Sequence, residues 1–253
     1  MSGHNRWSKI KRKKEAQGSA KGRLFTKLIK EITVAARMGG GDPAGNARLR
    51  AAVDAAKEAN MPAENIARAV RKGTGELEGA SYEEVAYEGY GPGGVAMIVA
   101  CLTDNRNRTA GDVRTTFAKG GGHLAAEGAV AWIFEKRGTI EVPPGPGEDE
   151  VVEAALEAGA EDVVVHGAEG FEVRTHANEL HAVAVRLERR LKLGESRVAF
   201  VPKTAVRVDD PEKARALLRL MEALEELDDV QGVHANFDMD DALLDEVAPQ
   251  CPD

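Results

Sequence analysis

From Arg23 onward the apolar positions fall at helical spacing. Leu24, Phe25, Leu28, Ile29 and Ile32 recur every three or four residues and form one face. Arg23, Lys27, Lys30 and Arg37 follow the same spacing on another face, with Val34 filling the gap, so a basic stripe lies opposite the core-facing one. Met38-Gly39-Gly40-Gly41-Asp42-Pro43 ends this helix, because glycine permits a left-handed cap and proline cannot continue it. A second helix is predicted over Ala47–Ala59, with Leu49, Val53 and Ala56 inward. A third fits Pro62–Lys72, with Ile66, Ala69 and Val70 inward and Gly73 as its stop. Three short helices with short loops make a small helical domain, placed at residues 1–77.

From Ser81 the period becomes that of strands. Tyr82–Glu88 alternates around Val85 and Tyr87, Gly89–Gly94 turns the chain, and Val95–Leu102 reads as a buried strand. A helix with Ala110, Val113 and Phe117 on one side follows, Lys119–His123 closes it, and Ala129–Phe134 is predicted to return as a strand. After a strand at 139–142 and a Pro/Gly connection, the pattern gives a helix near 148–158, strands near 161–166 and 170–175, a helix at 177–192 and a strand at 198–202. That β-α-β-β-α-β order is ferredoxin-like. The earlier series then resumes: Asp210 caps a helix with Ala214, Leu217, Leu218, Met221 and Leu224 inward, and a strand at Val230–Phe237 completes it. The expected architecture is therefore a multidomain α+β chain: a helical N-terminal domain, then two α+β domains with one inserted in the other. Residues 78–137 and 203–238 form the host, 138–202 the insertion, and 239–253 a loosely held acidic tail without Lys or Arg.

Charge changes this picture more than composition does. The 253 residues carry 34 Lys/Arg and 42 Asp/Glu, a net −8 that by itself points away from nucleic acid. Residues 1–75, however, hold 17 Lys/Arg against 6 Asp/Glu, and residues 76–253 hold 17 against 36. A basic helical domain is thus joined to an acidic body. Residues 1–30 alone contain ten Lys/Arg and one acid, Glu15. The candidate nucleic-acid contacts are Arg6, Trp7, Lys9, Lys11, Arg12, Lys13 and Lys14 on an N-terminal arm, with Lys21, Arg23, Lys27 and Lys30 on the first helix. Trp7 can stack on an unpaired base. If about six of these groups met phosphates, log K would fall with log salt at a slope near −5 on duplex DNA. Arg68, Arg71 and Lys72 need no such role, since a cation suits the last turn of a helix.

Other chemistry is sparse. The longest apolar run, Val95–Leu102, falls far short of a membrane helix, and the N-terminus shows no signal-peptide core, so no membrane partner is expected. Cys101 and Cys251 do not make a disulfide framework, and a cytoplasmic protein is expected. Lys119-Gly-Gly-Gly-His123 lacks the Gly-Lys-Ser/Thr ending of a phosphate loop and follows a helix, so it reads as a helix cap. The six histidines give no metal-ligand spacing; His176 and His181 fall on different helical faces. No metal or cofactor is expected. Thr103–Thr109 is richer: Asp104, Asn105, Arg106, Asn107, Arg108 and Thr109 follow a buried strand and open a helix, where backbone N–H groups favour anions. They form either a cleft or anion site, or an ordinary cap by Asn107 or Thr109 with Asp104 pairing Arg106 or Arg108.

Several segments resemble the YebC family. They are Gly3-His4, Trp7, Ile10-Lys11 and Lys14; Phe25–Glu31; Gly39–Pro43; Asn60-Met61-Pro62 with Asn65-Ile66; Glu88–Gly94; and, most distinctively, Leu102–Thr109. The resemblance runs in order from residue 3 to about 237. Asn5-Arg6 stands where Ser-Lys is usual, and His123 where Asn is common. It implies three domains, one inserted in another, and a function without catalysis. The family is labelled a probable transcriptional regulatory protein, its mitochondrial relatives activate translation of a cytochrome oxidase subunit, and bacterial members are linked to ribosomes stalled on proline-rich sequences.

Three functions compete on the sequence. The first is a non-enzymatic nucleic-acid-binding factor. Ribosomal RNA is preferred to promoter DNA, because no helix shows a base-reading helix-turn-helix pattern and an acidic body is repelled by a long duplex. The second is an enzyme with an interdomain-cleft site near Asp104–Thr109. The third is an adaptor whose acidic domains bind a basic partner such as a ribosomal protein.

Overall fold

The computed structural model describes residues 21–247. It divides into two compact units, Phe134–Lys203 and the remainder. Among the described residues no helix is long and apolar enough to cross a membrane.

The larger unit begins with three helices, α1 (Lys21–Gly39), α2 (Ala47–Glu58) and α3 (Ala63–Gly73). Ile32, Ala35, Leu49, Val53, Ala56 and Ile66 meet in their core. Asn46 caps α2, accepting from the Leu49 N–H at 3.1 Å, while its amide donates to the carbonyls of Ala35 and Gly40. One buried side chain therefore starts α2 and ends α1. The helices α1 and α3 approach so closely that a Cβ at Gly73 would stand 2.4 Å from the Thr33 carbonyl oxygen. Gly73 is thus a packing requirement rather than only the predicted stop. Pro62 sits one residue earlier than expected, as the N-cap of α3.

An antiparallel sheet follows, ordered β3-β1-β2-β9. Its strands are β1 (Glu83–Tyr90), β2 (Ala96–Thr103), β3 (His123–Leu124) and β9 (Val230–Ala235). Register runs from Glu83↔Thr103 to Tyr90↔Ala96 between β1 and β2, and β2 meets β9 with an irregularity between Ala100 and Cys101. The helices α4 (Arg106–Lys119) and α7 (Pro211–Glu225) supply Val113, Phe117, Leu217, Leu218 and Leu224 to the same core as Met97, Val99 and Val233. Asp210 caps α7 as predicted, accepting from the N–H groups of Glu212 and Lys213.

The strand predicted at Ala129–Phe134 is not one. Ala131–Ile133 is a single 3-10 turn, and β4 starts at Phe134 and runs unbroken to Val142. The cause lies in Glu88 on β1, whose buried carboxylate accepts from the N–H groups of Gly128 (2.7 Å), Val130 (2.6 Å) and Ala131 (2.8 Å). Donors aimed at a carboxylate cannot join a ladder. Burial alone would raise the pKa of Glu88, but the three backbone donors outweigh it and hold the pKa below the usual range.

The compact unit Phe134–Lys203 starts four residues before the boundary expected at 138. Its antiparallel sheet is ordered β5-β6-β4-β7, with β5 (Asp162–Val165), β6 (Phe171–His176) and β7 (Ser196–Pro202). That order is the ferredoxin-like arrangement. The helices α5 (Glu148–Ala158) and α6 (Leu180–Leu187) cover Ile140, Val142 and Val173 on one face. The helix predicted at 177–192 is only the eight residues of α6.

The tail also departs from expectation. β10 (Phe237–Asp238) pairs in parallel with β8 (Val206–Arg207), and α8 (Asp241–Val247) follows. Met239, Leu244 and Val247 are buried in the core of the larger unit. Burial of Met239, Leu244 and Val247 outweighs the acidic composition that suggested a loose tail. Cys251 lies outside the described residues.

Candidate nucleic-acid interface

The helix α1 positions the basic stripe. Its apolar face turns to α2 and α3, which directs Lys27, Lys30, Val34 and Arg37 to the opposite side. That side is covered at its centre, while Lys27 is half-buried and Arg37 stays exposed. Val34 is 1% exposed and Lys30 is 7% exposed. Lys27 Nζ donates to the Glu225 carbonyl at 2.6 Å, and Lys30 Nζ donates to the Asp228 carbonyl at 2.8 Å and to Asp229 Oδ1 at 2.5 Å. Arg37 donates to Ser81 Oγ and to the Tyr82 carbonyl. The last turn of α7 leaves carbonyls without intrahelical partners at the negative end of its dipole, and the Lys27 ammonium satisfies one of them, while Lys30 binds the segment that follows the helix. Arg23 adds a looser contact, with Nη2 3.5 Å from Glu226 Oε1 and both side chains about half exposed. Arg48 completes the join by clasping Glu31 on α1 (2.6 and 3.0 Å) and Glu84 on β1.

The basic stripe expected to meet phosphates thus meets acceptors of its own chain at Lys27, Lys30 and Arg37. Lys27, Lys30 and Arg37 form a seam between the helices and the sheet, because acceptors close to them in the fold are distant in sequence. Lys21 is exposed at the start of α1, and Arg23 is partly so. Arg6, Trp7, Lys9, Lys11, Arg12, Lys13 and Lys14 lie outside the described residues.

Asp229, at the foot of β9, is the centre of the seam. Its Oδ1 takes Lys30, and its Oδ2 takes Arg108 Nη2 at 2.8 Å and the Thr109 hydroxyl at 2.6 Å, with the Thr103 hydroxyl 3.3 Å away. Burial alone would raise its pKa, but the bonds from Arg108, Lys30 and Thr109 prevail and lower it to about 2. An ionised carboxylate so saturated with donors has no lone pair well placed to act as a base. Nearby on β2, burial and then the Asp229 charge push the Cys101 thiol up to about 12, against the opposing effect of Lys27 and Lys30.

The polar loop Asp104–Thr109 meets α1 through this carboxylate. Asn105, and not Asn107 or Thr109, caps α4, accepting from the Arg108 N–H at 3.1 Å. Asp104 pairs with Arg108 at 2.8 Å, and Arg106 Nε lies 3.8 Å from Glu83. The buried Thr109 and the half-exposed Arg108 both reach Asp229. Arg106 and Asn107 face solvent. The structure brings the loop and Lys30 to one point, the Asp229 carboxylate.

Two sets of residues escape a reading by sequence. Asp229 is one; its only signal is a pair of acids, Asp228-Asp229, just before the strand Val230–Ala235. The other is Arg71 and Lys72 on the last turn of α3. Both are exposed, and among the described residues neither has a carboxylate partner. Lys72 and Arg37 flank an open groove of about 530 Å³ lined with Thr33, Thr74 and Ser81. Among the described residues no group of His, Cys, Asp and Glu is placed to hold a metal ion.

The chain is similar to known proteins over nearly its whole length. Residues 5–76 match the family described as TACO1/YebC protein N-terminal domain, and residues 82–237 match TACO1/YebC second and third domain. A protein of Myxococcus xanthus named "Probable transcriptional regulatory protein" is 61% identical over 246 residues, covering 97% of this chain and 98% of that one. One of the same name from Desulfotalea psychrophila is 54% identical over 250 residues, covering 98% and 100%. The crystal structure of a conserved hypothetical protein from Aquifex aeolicus superposes with a TM-score of 0.81 at 49% identity, covering 88% of this chain and 92% of that one.

Proposed function

The chain belongs to the TACO1/YebC family, and from that premise we propose that it is a cytoplasmic, nucleic-acid-binding regulator of gene expression that works without catalysis. Its preferred target is structured RNA of the ribosome. One observation carries the reading: a strong excess of cations in residues 1–75, set against the acidic remainder. Because Lys27, Lys30 and Arg37 bind acceptors of the same chain, the phosphate contacts fall to Arg6, Lys9, Lys11, Arg12, Lys13 and Lys14, with Lys21, Arg23, Arg71 and Lys72. An acidic body attached to such a grip disfavours a long duplex, whose charge it meets along its length, and tolerates an irregular RNA. The saturation of Asp229 supports a structural role for the Asp104–Thr109 loop over a catalytic one.

A second reading, promoter DNA, is favoured by the name the relatives carry. Ribosomal proteins are further candidate partners for the acidic surface. Cross-linking in cells, followed by sequencing of the recovered DNA and RNA, separates the targets. Predominantly ribosomal RNA fits the proposal, and discrete promoters overturn it in favour of the second reading. Replacing Lys11, Arg12, Lys13 and Lys14 with Ala should abolish recovery, and unchanged recovery would remove the arm from the interface.

A further inference from the structure

Trp132 is 69% exposed, and among the described residues of the larger unit outside α1–α3 and the segment joining α3 to β1 it is the one large hydrophobic side chain so presented. An indole left in water adds little to folding, yet this one is held in place. Its Nε1 donates to the Ala129 carbonyl at 3.0 Å, and the Tyr90 hydroxyl donates to the same carbonyl at 3.3 Å. Tyr90 in turn lies against the exposed His123, with ring centroids 5.5 Å apart and planes tilted by 31°. The turn beneath Trp132 is fixed by the Glu88 carboxylate, which accepts from the N–H groups of Gly128, Val130 and Ala131. His123 is fixed by pairing with Tyr90 across β3 and β1.

We infer that Trp132, held with Tyr90 on the one Ala129 carbonyl, is a stacking platform for an unpaired nucleobase. The proposal rests on the nucleic-acid reading above and adds a second contact, on the acidic body. A site for an apolar peptide would surround the indole with other exposed aliphatic side chains, and none stands out in this body. A flat aromatic surface held by a rigid frame suits a base, whose π-face carries no charge and so is not repelled by the net negative charge of residues 76–253. The hydrogen bond to Ala129 means the ring is ordered before binding, which lowers the entropic cost of stacking.

The test uses the full chain with Trp7→Phe, so that Trp132 is its one tryptophan. A short unstructured RNA and a backbone of equal length lacking bases are titrated in parallel, with binding followed by anisotropy and stacking by Trp132 fluorescence. The proposal expects quenching by the RNA and not by the base-free backbone, and a roughly tenfold loss of RNA affinity in Trp132→Ala that Trp132→Phe largely restores. Binding of RNA without quenching, or with Trp132→Ala unchanged in affinity, overturns the platform and leaves the nucleic-acid reading standing. No anisotropy change with RNA or DNA, in the wild-type chain as well as in Trp7→Phe, overturns both.

Discussion

Replacing Asp229 with Asn keeps the shape of the side chain and removes its charge. Lys30, only 8% exposed along its side chain, would then retain the Asp228 carbonyl as its sole strong acceptor. Arg108 is half exposed and keeps Asp104 at 2.8 Å, so its loss is small. Breaking a buried pair from one side costs about 3–5 kcal/mol, and the remaining carbonyl places this case near 3 kcal/mol. Lys30→Met should cost less, about 1–2 kcal/mol, because Asp229 keeps Arg108 and Thr109. In the double variant neither charge is stranded, so the two changes should couple by about 2 kcal/mol. A chain of two compact units need not unfold in one step, so the assay is hydrogen exchange resolved at α1 and at the end of α7. Costs that add to within about 0.5 kcal/mol would refute the seam as a coupled joint.

The same cluster has an acid limit. Asp229 titrates at about 2 in the folded chain, against an ordinary 3.8, so its contribution of about 2 kcal/mol is complete above pH 4 and is lost as pH falls through 2. The stability difference between wild type and Asp229→Asn should therefore shrink between pH 4 and pH 2, and a constant difference would contradict the assignment. Glu88→Gln turns an amide donor toward backbone N–H groups and should destabilise the 128–131 turn by about 1–3 kcal/mol, seen as faster exchange of those amides. Gly122→Ala should cost about 1–3 kcal/mol in thermal unfolding, because its Cβ would lie 2.5 Å from the Tyr90 carbonyl oxygen on the neighbouring strand.

What the chain reveals before folding follows from how local each signal is. The three helices, the cap at Asp210 and the ferredoxin-like strand order are legible because period, caps and turns are written within a few neighbouring residues. The turn at 131–133 is not, because the carboxylate that enforces it sits on Glu88, some 40 residues earlier. Lys30 and Asp229 are separated by 199 positions, so counting charge finds the cations without finding their partner. The YebC-like segment Leu102–Thr109 is conspicuous as sequence, yet its last two residues, Arg108 and Thr109, prove to hold a carboxylate rather than await an anion. Conversely, Arg71 and Lys72 have an adequate explanation in the helix dipole, and only their exposure without a carboxylate partner among the described residues brings them into the candidate interface.

The division between an internal seam and an external grip is tested most directly by the salt dependence of RNA affinity. On single strands each phosphate contact contributes about −0.7 to the slope of log K against log salt. Replacing Lys11, Arg12, Lys13 and Lys14 with Ala should flatten that slope by about 3, whereas Lys27→Met should leave it unchanged. An unchanged slope in the arm variant, or a flattening by Lys27→Met comparable to that of one arm lysine, would contradict the account.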